Sequence, residues 1–484
     1  MTWRKLIPLL TVLYFTIYTP ALAQQDPIYP IQRCHTTEYL NELMRRDPGL
    51  RARMQADEER LNTITVQRIQ ERRLNKGNQR LDATVTIPVV VHIVLPDPNM
   101  VTDADVLWQI NKMNEDFAGK NADSVNAGPF AALFGHSKIQ FCLAQQDEKG
   151  NPASAIERTN STITFTRNNP EVLKNTATCG AKSWDVSRYF NIWVGTATDG
   201  TLGIATFPNS GIDEYQGIAI SVNGFGNNPA YVSQNFNLGR TAVHEAGHFF
   251  YARHIWGDGS CASDFPSISG LPAFTDDTPP QSGSTSGCPT GNMASGCSGG
   301  PNPPGRMYQN YMDYTNDACY CMFTLNQVAR MEAALEIFRS SLINSNVCSA
   351  PTPVSLDVAL ASIVTPASEE SCSSSGNNII CSPTFIPQVI IKNYGTTILT
   401  SATVNVVVDN LAAVTTNWTG SLNQFNTANI GLNAITTTGG THTLKVYVSS
   451  PNGGADGRPL NDTLETSFTI VVPTVIPDSL AEAF

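Results

Sequence analysis

The 484-residue chain is 41% hydrophobic and 15% charged, too apolar and too weakly charged to remain unfolded. Its formal charge is −11, yet residues 1–80 hold 13 Lys and Arg against 8 Asp and Glu, so the remainder is strongly acidic. That acidity argues against nucleic acid or an anionic membrane as main partner, and leaves room for basic substrates and bound cations.

Residues 1–23 read as a signal peptide: Arg4 and Lys5, the apolar stretch Leu6 to Tyr18, then the small-x-small site Ala21-Leu22-Ala23. The apolar run is short for a membrane span, and no later stretch is long enough. A secreted protein is expected, extracellular, periplasmic or at the cell surface. In such an oxidising setting most of the 11 cysteines should pair, and an odd count leaves at least one over.

Residues 24–80 are polar, charged and helix-prone, with apolar patches at Tyr39–Met44 and Leu61–Ile69 that can dock but cannot form a core alone. From Thr86 to Val94 runs a buried-strand pattern. Thr102 with Asp105 then caps a helix through Trp108, Ile110, Met113 and Phe117. Further strands are predicted at Ile139–Ala144, Phe190–Val194 and Ile218–Val222, and a helix over Leu325–Leu342. Residues 81–350 therefore read as an α/β domain. Residues 351–474 are rich in Thr, Val, Asn and Gly with period-two alternation, as at Val404, Val406 and Val408. An all-β, immunoglobulin-like sandwich is expected there, followed by an unassigned tail, 475–484.

The chemistry concentrates in Arg240–His254. His244 and His248 are four apart, so on a helix both imidazoles leave one face at metal-ligand separation. Glu245 lies beside the first and can reach a water on the metal without binding the metal itself. A third histidine, His254, comes six residues after the second.

His-Glu-x-x-His with a third His after a short turn resembles the zinc signature of the metzincin metalloproteases. The continuation His254-Ile255-Trp256-Gly257-Asp258, the later Asp277-Thr278-Pro279-Pro280-Gln281, and Asn310-Tyr311-Met312-Asp313-Tyr314 resemble the pappalysin family within that group. The likeness runs from about Cys34 to Cys348. It implies a metzincin-like catalytic domain, a twisted mixed sheet with a zinc-site helix, acting as a zinc metalloendopeptidase on protein or peptide substrates. It implies His244, His248 and His254 as zinc ligands and Glu245 as general base. Met312 would floor the metal, and Tyr314 would donate to the oxyanion. The strand Leu202–Phe207 would be the sheet edge that pairs with substrate. Asp317 could favour Arg or Lys in the specificity pocket, although a solvated loop carboxylate is the expectation.

Tyr251 departs from the resemblance, which has Gly or Asn there. A helix continued past His248 would turn His254 away from the metal, so the chain must bend, and the bend favours φ > 0. Either Tyr251 bears that strain, or another backbone path is used, or Asp258 replaces His254. Calcium is a further expectation, with Asp258, Asp276 and Asp277 as hard oxygen ligands in the loop after the zinc helix. The resemblance pairs Cys261 with Cys297 and Cys288 with Cys319. Proximity suggests Cys372–Cys381, and elimination leaves Cys142–Cys179 and Cys321–Cys348. Cys34, in Arg33-Cys34-His35-Thr36, resembles the family's pro-segment motif Arg-Cys-x-Thr with His35 for Gly. It would cap the zinc of a latent precursor, with 24–80 as pro-segment and activation cleavage at Glu71–Leu74 or after Arg80. The alternative is an inactive secreted binding or adhesion protein that uses its sandwich, with Tyr251 as the mark of lost activity. The intact Glu245 argues against it.

Overall fold

The structure, a computed structural model, describes residues 31–74, 83–208, 213–258, 261, 277–298, 300, 303–366 and 379–471. The expected signal peptide, the cleavage site at Arg80, Asp276, Cys372 and the tail lie outside them. Among the described residues, no helix is long and apolar enough to cross a membrane.

The chain opens with a short strand, β1 (Gln32–Cys34), and two helices, α1 (Thr36–Arg46) and α2 (Leu50–Leu74). Then come β2 (Val85–Leu95), α3 (Asp103–Phe117), β3 (Ile139–Leu143), β4 (Ile156–Asn160), β5 (Thr164–Phe165) and β6 (Phe190–Ala197). The capping box expected at Thr102 and Asp105 starts α3. Next are β7 (Thr201–Ala205), β8 (Ile218–Ser221), α4 (Arg240–Phe249), α5 (Leu325–Phe338) and α6 (Ser340–Ile343). The helix predicted over Leu325–Leu342 breaks at Arg339, whose backbone leaves the helical region at φ −135°.

The main sheet has the order β1-β7-β8-β6-β2-β3, with β4 also on β2 and β5 on β6. Its centre is parallel: β2 pairs with β3, β4 and β6, and β6 with β8. Strand β2 is buried on both faces, which is why its sequence reads as a continuous apolar run. Only β7 runs antiparallel to its neighbour β8. Its outer edge is covered by β1, which pairs with it in parallel register, Gln32 opposite Thr201 and Cys34 opposite Gly203.

Apolar residues of α1 and α2, Tyr39, Leu40, Leu43, Leu50, Met54 and Leu61, are buried in a cluster shared with Trp193, Ile204, Phe207 and Tyr251. The two patches foreseen in 24–80 thus find their partner on the α/β unit.

Strands β9 (Val358–Thr365), β10 (Ile379–Ile380), β11 (Thr384–Phe385), β12 (Gln388–Asn393) and β13 (Leu399–Val408) begin the C-terminal part. It continues with β14 (Val414–Leu422), β15 (Thr427–Gly431), β16 (Ile435–Thr436), β17 (Gly440–Ser449) and β18 (Thr463–Ile470). Sheets β10-β18-β17-β13-β14 and β15-β12-β9 enclose a core of their own around Val389, Val404, Leu444 and Phe468.

Disulfides join Cys261 to Cys297 and Cys288 to Cys319. The other expected pairs need correction. Cys142 pairs with Cys348, not Cys179, because the segment after α6 returns beside the end of β3, where Gln145 N–H donates to Val347 O. Cys321 is therefore a buried free thiol, and Cys179 is bonded elsewhere. Cys381 is exposed and free, so the Cys372–Cys381 staple does not form. With Cys34, three described cysteines are free rather than one.

Candidate active site

Helix α4 is buried along its whole length, held between the sheet and the segment 307–323. Its first turn is anchored by Asp317, whose Oδ2 accepts from the N–H groups of Leu238 and Arg240. Two glycines let the neighbours close in. A Cβ on Gly203 of β7 would stand 2.5 Å from Glu245 Cγ. One on Gly247 would stand 2.7 Å from Met312 Sδ, so Met312 lies directly under the helix.

The helix ends at Phe249, and Tyr251 takes φ +72°. Tyr251 N–H donates to His248 O and Ala252 N–H to Gly247 O, the paired bonds of a Schellman turn. Of the three backbone possibilities, the strained tyrosine is the one observed. Its ring is fully buried, stacked on Phe338 with centroids 5.4 Å apart, and its carbonyl accepts from Arg330 Nε at 2.9 Å. These contacts offset a left-handed backbone cost of about 1–2 kcal/mol.

The turn brings His254 back to the helix. His248 Nε2 lies 3.2 Å from His244 Nε2 and 3.0 Å from His254 Nε2. Cys34 Sγ completes a buried cluster whose four ligand atoms lie within 4.8 Å of one another. The opposite ring nitrogens are all engaged. His244 Nδ1 meets Tyr311 O at 2.6 Å, His248 Nδ1 meets Ala252 O at 2.8 Å, and His254 Nδ1 meets the Asp258 carboxylate. Carbonyl oxygens only accept, so Nδ1 of His244 and His248 carries the proton and the Nε2 lone pairs converge. Burial, first, and the neighbouring imidazoles hold these two histidines well below the usual range, hence neutral. Lone pairs pointed at one another in a dry site fit a cation and little else.

Glu245 is wholly buried beside the cluster. Its Oε2 accepts from Thr36 Oγ1 at 2.9 Å and faces Cys34 Sγ at 3.6 Å. Burial pushes its carboxyl up to about 8, against the opposing pull of Thr36 and Cys34. Burial, then the Glu245 charge, pushes the Cys34 thiol well up. Tyr314 OH donates to Cys34 O at 2.9 Å, and its ring centroid sits 5.0 Å from that of His254.

Asp317 is not a solvated loop carboxylate. It is fully buried, and its Oδ1 accepts from Arg33 Nη2 at 2.6 Å. The Arg33 guanidinium lies 4.2 Å from the Tyr320 ring centroid. Among the described residues, the four-donor cluster is the single group of His, Cys, Asp or Glu at metal spacing. Of the three acids expected to bind calcium, Asp258 is engaged by His254, and Asp277 Oδ2 accepts from Asn326 N–H at 2.9 Å. The Asp277–Gln281 motif has a visible task. Gln281 Nε2 and Thr285 N–H donate to Asp313, which in turn accepts from Tyr314 N–H and steadies the turn under the site.

Sequence reasoning assigned no role to Thr36, although it stands in the Arg-Cys-x-Thr motif. Besides holding Glu245, its hydroxyl accepts from Ala205 N–H at 2.8 Å. It likewise assigned none to Glu58 or Arg330, a buried pair 272 residues apart that no local pattern announces.

Residues 174–336 match the family described as pregnancy-associated plasma protein-A, a peptidase family. An extracellular metalloprotease of Pyricularia oryzae is 31% identical over 263 residues, 53% of this chain and 77% of that protein. One from Colletotrichum graminicola is 31% identical over 268 residues, covering 53% and 79%. Among solved structures, a promirolysin variant from Tannerella forsythia is 33% identical, covers 64% of this chain and 96% of that one, and superposes with a TM-score of 0.53.

Proposed function

Because the chain belongs to the pappalysin family and is a metalloendopeptidase, we propose that it is a secreted zinc enzyme made as a latent precursor, with residues 24–80 as pro-segment and 81–350 as catalytic domain. The observation that carries the reading is the meeting of Cys34 with His244, His248 and His254 in one buried cluster.

The three histidines would hold the zinc, with Met312 packed beneath the helix that bears two of them. When bound, zinc supplies Lewis acidity toward water and the substrate carbonyl. Glu245, beside the ligands, takes the proton from the attacking water and returns it to the leaving amine. Tyr314, freed from Cys34 O, turns its hydroxyl donor to the developing oxyanion. Substrate pairs along β7, and Asp317 receives a basic side chain where Arg33 now sits. The preferred cleavage is therefore beside Arg or Lys.

Latency comes from the same contacts. Cys34 occupies the fourth donor position, and a cation there favours the thiolate over the buried thiol. Thr36 ties up Glu245, and Cys34 O ties up Tyr314. Strand β1 runs parallel to β7, whereas substrate is expected to run antiparallel, so the pro-segment enters the cleft with reversed polarity. Secretion is supported by the relatives' description as extracellular. Structural calcium in the loop after α4 stays a subsidiary proposal, supported by that loop's acidic residues. Calcium that leaves the melting temperature unchanged would remove it.

Casein digestion tests the main reading. Wild-type protein should become active with loss of residues before 81, and chelator should abolish the activity. Cys34→Ala precursor should be active sooner. Glu245→Gln should keep zinc and lose roughly 10²–10⁴-fold in rate. Equal latency of Cys34→Ala and wild type would defeat the thiol switch. Full activity of Glu245→Gln would defeat the mechanism.

A further inference from the structure

We propose that Arg253 and Arg330 form a carboxylate-binding subsite on the N-terminal side of the scissile bond. Glu58 fills it in the precursor, and an acidic side chain of the substrate fills it once the pro-segment has left. The subsite rests on the activation reading above.

Glu58 of α2 is buried against two guanidinium groups of the catalytic part. Its carboxylate accepts from Arg330 Nη2 at 2.8 Å and from Arg253 Nη2 at 3.4 Å. Arg330 Nη1 also donates to Asn62 Oδ1 of the same helix, at 3.0 Å. The seat beneath is aromatic. The Arg330 guanidinium lies 5.4 Å from the Tyr251 ring centroid and that of Arg253 5.8 Å from Phe207. Of the other nearby acids, Asp258 is engaged by His254, and Asp57 lies on α2 and leaves with it. Departure of α2 therefore removes one carboxylate from two cations over an apolar floor. A ligand that restores the balance must bring an anionic group, and planar guanidinium groups suit a carboxylate.

The strands fix the place of this seat along the cleft. The Phe207 ring is 5.4 Å from that of His248, so the seat begins one ring away from the metal-binding cluster. Phe207 lies just beyond the C-terminal end of β7. Because β1 is parallel to β7, Arg33 reaches Asp317 on one side of Cys34, and the chain after Cys34 passes toward the Phe207 side. A substrate antiparallel to β7 places its C-terminal residues toward Asp317 and its N-terminal residues toward Phe207. The pro-segment thus offers the cleft two charges: Arg33 for the acidic pocket and Glu58 for the basic seat. A substrate can offer the same two, basic beside the cut and acidic upstream.

The test uses mature enzyme whose N-terminus, by mass spectrometry, lies beyond residue 74. Fluorogenic peptides share one cleaved sequence while a single Glu is walked through successive upstream positions, each matched by Gln. At one or two positions the Glu peptide should show a kcat/KM roughly five- to tenfold above its Gln match, chiefly through KM. Arg253→Gln should bring that ratio close to one, and Arg253→Lys should keep part of it. The ratio is the readout, with zinc content confirming an intact centre. A flat walk, or a preference that survives Arg253→Gln, would overturn the subsite. An active enzyme that retains residues 50–74 would overturn the activation reading, and the subsite with it.

Discussion

At Tyr251 a bulky side chain sits where the backbone favours glycine. The His-Glu-x-x-His spacing made the candidate ligands legible, and the need for a bend after His248 came from helix geometry. What made a tyrosine tolerable there was not legible, because Phe338, Phe207 and Arg330 come from distant parts of the chain. Tyr251→Gly should relax the backbone by about 1–2 kcal/mol yet lose a buried aromatic worth about 3–5 kcal/mol. The precursor should be less stable on balance by about 1–4 kcal/mol, read by denaturant unfolding. Lys174 is a second buried oddity. Its Nζ donates to Tyr215 O at 2.8 Å and lies 4.8 Å from the Trp193 ring centroid, and burial depresses its pKa to about 7. With the folded value below the unfolded one, the protein binds a proton on unfolding between about pH 7 and 10.4. The resulting penalty is complete below pH 7 and is relieved as pH rises through that window. Lys174→Met should therefore show a flatter rise in stability from pH 7 to 9, by at most about 1.4 kcal/mol per pH unit. An unchanged slope would show that the amine titrates normally.

Elements with a local signature were foreseen: β2 from its apolar run, α3 from its capping box, the β-rich C-terminal part from its alternation. The docking of residues 24–80 was foreseen from two apolar patches and from a basic segment facing an acidic remainder, without the particular contacts that α2 makes with α5. A basic segment on an acidic body describes the rim, where Arg68 pairs with Glu332 and Glu336 and Arg46 with Glu171. The buried contact has the opposite sense, with the acid on α2 and the arginines on the body. Net charge is a surface average and cannot reveal a single desolvated pair. Glu58→Ala would take the shared carboxylate from Arg253 and Arg330, while Arg330 keeps its bonds to Tyr251 O and Asn62 Oδ1. Unfolding of the precursor should lose about 3–5 kcal/mol, while mature enzyme, lacking residue 58, sets the reference. A loss below about 1 kcal/mol would mean that the pair behaves as an exposed one.

Across the whole molecule, long-range covalent links were the least legible feature. Cys142–Cys179 followed only by elimination, whereas the observed Cys142–Cys348 link spans 206 residues and depends on where the chain returns after α6. In the chain-entropy view a link of that length contributes about 5 kcal/mol. Paired replacement of Cys142 and Cys348 by Ala should lower stability by about 3–5 kcal/mol without changing the peptide specificity of mature enzyme. A larger loss together with altered specificity would place the link among the supports of the site. The C-terminal strands keep their own core, and Asn461 of that part donates to Asn151 Oδ1 of the α/β unit at 2.6 Å.

The parallel pairing of β1 with β7 has a consequence for timing. On the proposed activation reading, a segment threaded backwards through the cleft offers no bond in the orientation the enzyme can cut, so it is not consumed by the machinery it blocks. The nick must fall elsewhere, and Glu71–Leu74 is wound into the last turn of α2, a poor shape for a protease that reads extended strands. Even after a cut beyond it, β1, α1 and α2 keep their hydrogen bonds, their ion pairs and a shared apolar cluster with the body. Severing the chain therefore arms the enzyme without releasing it. Release is then a dissociation governed by an off-rate, and activity should appear after a lag that lengthens when free pro-peptide is added back.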